Sequence, residues 1–79
     1  MRKAKVTLVN DTGADFLICY GQGVSTTLKP GEKQEFSCDN GKINKGKIRA
    51  NSTQLDDTGV TIMNLDGNNC GATINASTL

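Results

Sequence analysis

The chain contains no histidine and no tryptophan, a single proline, and only three aromatic residues, Phe16, Tyr20 and Phe36. Without histidine, Ser-His and Cys-His catalysis on this chain is excluded. The usual zinc ligand sets are excluded too, because the three cysteines, Cys19, Cys38 and Cys70, include no CxxC pair. No cofactor or metal is implied. No apolar run is long enough to span a bilayer as a helix. The opening MRKAKVTLVND has a basic start but too few apolar residues before Asn10 to read as a signal peptide. The protein is therefore either cytoplasmic or stripped of a leader. Its Gly-, Asn-, Thr- and Asp-rich composition suits secreted, periplasmic and virus-associated settings, with secreted or periplasmic slightly favoured. Charge of one sign is also missing. Nine Lys and Arg face eight Asp and Glu, for a net +1, which argues against a generally basic nucleic-acid binder and against an acidic disordered tail.

What is present points to β structure. The 79 residues are enough for a single domain with a modest core, spanning 1 to 79. Gly, Asn or Asp interrupts nearly every ten residues, so helical periodicity has no room to develop. The gaps hold short β-prone runs at 5–9, 15–20, 24–29, 33–38, 46–50, 59–65 and 70–77. Several alternate with period two. Val24, Thr26 and Leu28 share one face; so do Gln34, Phe36 and Cys38, and so do Cys70, Ala72, Ile74 and Ala76. Residues 16–20 are apolar on both faces, which predicts a central strand covered twice. The fold predicted is all-β: a small antiparallel β-sandwich of about seven short strands, with an SH3-like or OB-like small barrel as the alternative.

Turn chemistry punctuates these runs. In TTLKPGEKQEF, Pro30 presets φ at the second turn position and Gly31 accepts positive φ at the third, so the segment reads as a hairpin. GQG at 21–23 offers another tight reversal. Residues 51–57 have room for one helical turn. The opening strand ending in Asn10, the second strand, and then Leu-Lys-Pro-Gly-Glu resemble the start of many extracellular β-sandwich domains. That likeness covers about a third of the chain and names no family.

The triplet Asp-Thr-Gly occurs twice, at 11–13 and at 57–59. Residues LVNDTGADFL resemble the signature of retroviral aspartic proteases, in which an apolar strand leads into Asp-Thr-Gly-Ala-Asp. The resemblance implies a catalytic role for Asp11, with two carboxylates sharing a proton and activating water. It covers about ten residues and departs from the pattern at Asn10, where the family carries an apolar residue that packs under the loop. No later segment matches the rest of such an enzyme, and the residues between the triplets are too few to build a pepsin-like lobe. The alternative is local: Asp and Thr bond to nearby backbone and Gly takes positive φ, making two similar turns. On that reading no residue is catalytic.

The cysteines allow one disulfide plus a free thiol, or three reduced buried thiols. If one pair forms, Cys38 with Cys70 is expected, since both lie at strand ends beside Asp- and Asn-rich loops. Closing that loop is worth roughly 3–4 kcal/mol on the chain-entropy model. In the segment 39–51, Lys45, Lys47 and Arg49 fall on one side of a strand, with Gly46, Ile48 and Ala50 on the other. Such a basic stripe suits nucleic acid, an anionic glycan or an acidic protein. A solvated or edge strand guarded by lysine gives the same pattern, and no aromatic residue is interleaved for stacking on bases. LDGNNCG at 65–71 resembles a fragment of a calcium loop but lacks the closing Glu. Thr73, Asn75 and Ser77 form a polar face suited to sugar or to plain solvent. Asn10, Asn51 and Asn75 head glycosylation sequons, which matter only in a eukaryotic secretory setting. Together these features predict a non-enzymatic interaction module that binds a protein partner through loops or an exposed edge strand. Binding of nucleic acid or anionic glycan through Lys45, Lys47 and Arg49 is the first alternative, and an aspartic-protease-like fragment the second.

Overall fold

The computed structural model describes residues 4–20 and 24–79, so the reversal expected at 21–23 lies outside the described residues. Seven strands form, β1 Lys5–Val9, β2 Phe16–Tyr20, β3 Val24–Leu28, β4 Lys33–Ser37, β5 Lys42–Ile48, β6 Leu55–Asn64 and β7 Thr73–Asn75, followed by a 3-10 turn at Ala76–Thr78. They build two sheets, in the orders β4-β1-β7 and β3-β2-β5-β6. The all-β expectation holds, with one exception to antiparallel pairing: β7 runs parallel to β1.

Alternation decides what each sheet buries. On the three-stranded sheet Val6 pairs with Phe36, and Leu8 lies between Gln34 and Ile74. On the four-stranded sheet Tyr20 pairs with both Val24 and Ile43, and Ile43 with Met63. Val6, Leu8, Ile18, Leu28, Phe36, Ile43, Met63, Leu65 and Ala76 close into one core. The Tyr20 and Phe36 rings meet across the two sheets with centroids 4.8 Å apart, tilted by 55°, a favourable aromatic geometry. Cys38 and Cys70 are joined in a disulfide with their Cα atoms 5.8 Å apart, and Cys19 is a buried free thiol. The bond ties the end of β4 to the loop before β7.

Asn10 connects the layers. It is fully buried, and every hydrogen-bonding position of its side chain is used. Its Nδ2 donates to the carbonyls of Ala14 and Leu28, both at 2.7 Å. Its Oδ1 accepts from the Thr12 amide at 3.0 Å and the Thr12 hydroxyl at 2.7 Å. Its backbone exchanges bonds with Glu32 and Gly31. This corrects the hairpin expected over TTLKPGEKQEF. The turn forms, with Gly31 at φ 86° and the Glu32 amide bonded to the Lys29 carbonyl. Its two arms, however, belong to different sheets, and Asn10 bonds to the Leu28, Gly31 and Glu32 backbone where they part. The segment is a corner between layers.

Other boundaries shift for similar reasons. The strand expected at 46–50 runs from Lys42 to Ile48, and the one expected at 59–65 starts at Leu55, so residues 51–57 hold no helical turn. The chain reverses at 50–53, where Asn51 adopts φ 58°. The run 70–77 yields only three strand residues. Ala76 turns into the core, and Asp11 captures Ser77 through its amide and its hydroxyl, both at 2.8 Å.

Candidate functional site

The two Asp-Thr-Gly triplets build the same local device in different places. In each, the threonine hydroxyl accepts the amide two residues later at 3.2 Å, Ala14 in one and Val60 in the other. In each, the glycine sits at positive φ, 81° at Gly13 and 76° at Gly59. The first forms the bend between β1 and β2. The second lies inside β6 and forms a bulge there, which corrects the expectation of a free turn. The aspartates have separate partners. Asp11 holds Ser77, and those bonds keep its carboxyl below the usual range. Asp57 accepts from the Gly59 amide at 2.7 Å and from the Asn44 side chain at 3.1 and 3.2 Å. Thr58 closes the bulge by donating to the Lys45 carbonyl at 2.7 Å.

The bulge shapes the surface around it. β5 pairs with β2 only through Lys45; beyond that point β5 and β6 continue as a two-stranded arm. The arm lies back over the outer face of β2. Gly46 permits this, since a Cβ there would meet the Ile18 backbone and Cys19 Sγ at 3.4 Å. Cys19 is covered as a result, and burial, then the charges of Asp57 and Asp56, push its thiol pKa up. The arm therefore supplies the second cover expected for the central strand. Its tip reaches β3, where Thr53, Gln54 and Leu55 face Ser25, Thr26 and Thr27 across a cleft of about 370 Å³.

The basic stripe belongs to this arm. Lys45, Lys47 and Arg49 are all exposed. β5 lies between β2 and β6 as far as Lys45, and from Gly46 to Ile48 it pairs with β6 alone. Arg49 follows the strand's end and is engaged: its Nε and Nη2 donate to Asp56 Oδ1 at 3.0 and 2.7 Å, and its Nη1 donates to Gln54 at 3.1 Å. The pair lowers the Asp56 pKa and raises that of Arg49. Lys47 lies opposite Asp56 in the ladder. Ile48, on the side of the strand opposite the basic stripe, is 57% exposed, because the arm has left the sandwich.

The four sheet edges differ in how they are protected. β4 carries Lys33 and Glu35 exposed, and Glu35 pairs with Lys5 at 3.8 Å. β7 has three residues. β6 is interrupted by its bulge and carries Asp56 and Asp57. Charge, brevity and bulging are the standard means of blocking strand addition. β3, Val-Ser-Thr-Thr-Leu, has none of them. It has no charge, Gly or Pro, and it pairs with β2 in unbroken register from Val24 to Leu28. Val24 at its start is 53% exposed. The sequence showed the alternation of this strand but not its place at an edge.

Among the described residues no group of three or more His, Cys, Asp or Glu is placed to hold a metal ion, and no helix is long and apolar enough to cross a membrane. No protein-family model matches this chain, and neither a curated protein nor a solved structure matches it.

Proposed function

We propose that this chain is a non-enzymatic protein-binding module whose docking element is the edge strand β3, which accepts an extended segment of a partner as a further strand of the sheet. The observation that carries this is the contrast between β3 and the other three edges. Main-chain hydrogen bonds along an open edge provide affinity, and pockets for alternate side chains provide selectivity. The cleft between Ser25–Thr27 and Thr53–Leu55 is such a pocket, lined by hydroxyls, one amide and Leu55. The separate partners of Asp11 and Asp57 support a non-enzymatic reading. The anion-binding alternative has less support, because Arg49 is spent on Asp56 and Lys47 faces the same carboxylate.

Proline substitution tests the edge. Successive residues of a strand point their amides to opposite sides, so either Thr26→Pro or Thr27→Pro removes an outward amide and leaves pairing with β2 intact. Whichever of the two stays folded is compared with wild type in capturing partners from the native lysate. A specific partner held by wild type should be lost. A partner retained by the folded proline variant would contradict the reading.

A further inference from the structure

We infer that the occupant of the β3 edge is a second copy of this chain, paired antiparallel about a two-fold axis at Thr26. This rests on the reading of β3 as the docking edge and goes further by naming the partner.

The strand is complementary to itself. Antiparallel pairing centred on Thr26 sets Ser25 opposite Thr27 of the other copy and Val24 opposite Leu28. Hydroxyl faces hydroxyl and apolar faces apolar, pairings that stabilise a ladder. No charge meets a like charge, because Lys29 falls beyond the end of the partner strand. A net charge of +1 adds little repulsion at longer range. The arrangement also accounts for Val24. It points to the core side of the sheet, on the face of Tyr20 and Leu28, yet is 53% exposed at the end of the sandwich. In the pair, it lies across from Leu28 of the other copy.

The protected edges explain why assembly would stop at two. An isologous contact uses the same patch on both copies and closes on itself. Joining two four-stranded sheets at β3 makes one eight-stranded sheet whose outer edges are both β6, each bulged and acidic. Five residues of edge bury far less area than a stable dimer interface, so the association is expected to be weak, with a dissociation constant on the order of micromolar or above.

Two double variants test the register. S25K/T27K places Lys opposite Lys at both hydroxyl pairs and should weaken the dimer at least about tenfold. S25K/T27E places Lys opposite Glu at both and should bind as tightly as wild type or up to about tenfold tighter. Analytical ultracentrifugation from about 10 µM to about 1 mM spans the expected range. Thermal midpoints confirm that each variant is folded, and amide exchange of the wild type at both ends of the range reads the same contact without any substitution. Wild type that stays monomeric throughout would overturn the inference. So would a dimer that S25K/T27K leaves unchanged, or S25K/T27E as weak as S25K/T27K. A monomeric wild type that nevertheless loses a captured heterologous partner on proline substitution in β3 would sink the second-copy inference and leave the docking edge standing. A dimer held through another surface, together with a partner retained by the folded proline variant, would remove both.

Discussion

Replacing Asn10 with leucine keeps the branching of the side chain and removes every polar contact that it makes. The Leu28 carbonyl then loses a buried donor, and an unsatisfied buried acceptor costs about 1–3 kcal/mol. The Ala14 carbonyl and the Thr12 amide are partly reachable by water, so losing their bonds costs about 0.5–1.5 kcal/mol each. The sum is about 2–6 kcal/mol, a large share of the stability of a domain this small. Urea unfolding followed by circular dichroism measures it as a drop in the midpoint at constant slope. Thermal unfolding should show a loss on the order of 10 °C or more. Thr12→Val, which removes the hydroxyl beside Asn10 Oδ1 and keeps its own amide bond, should cost about 1 kcal/mol. If Asn10→Leu lost less than about 1 kcal/mol, Asn10 would not be the clamp between the layers.

Breaking the disulfide with C38S/C70S should cost roughly 3–4 kcal/mol, read from the same urea curves. Cys19 should resist alkylation in the folded protein and react on unfolding, because burial and the two neighbouring aspartates disfavour its thiolate; thiol titration with and without denaturant measures this. Asp11 binds its proton more weakly in the folded protein than in the unfolded chain. Its contribution is therefore fully present above the ordinary aspartate value of about 3.9 and is lost as pH falls through the lowered folded value. Stability curves of wild type and Asp11→Ala should converge below about pH 4 and run apart above it.

The period-two alternation of 24–28 and 33–37, and the two-sided apolar run at 16–20, were legible because each of these strands buries one face at least. What stayed hidden depends on contacts distant in sequence. The Lys29–Glu32 turn reads as a hairpin locally, and the corner it forms is held by Asn10, bonded to Leu28 across 18 positions. Lys42 to Lys45 carry one apolar residue, Ile43, yet form strand because β2 and β6 flank them. Gly59 signals a turn by itself and is absorbed as a bulge once Thr58 finds the Lys45 carbonyl. The lysine stripe was visible, but its neutralising partner Asp56 lies seven positions from Arg49 on the returning strand. The candidate edge was the least legible, since a strand becomes an edge only through the order in which the others assemble.

Amide hydrogen exchange along the four edges tests the central claim most directly. On association, the outward amides of Val24–Leu28 should slow, while β4, β6 and the Lys45–Arg49 segment keep their rates. Protection that arises at β4, at β6 or along Lys45–Arg49, with β3 unchanged, would contradict it.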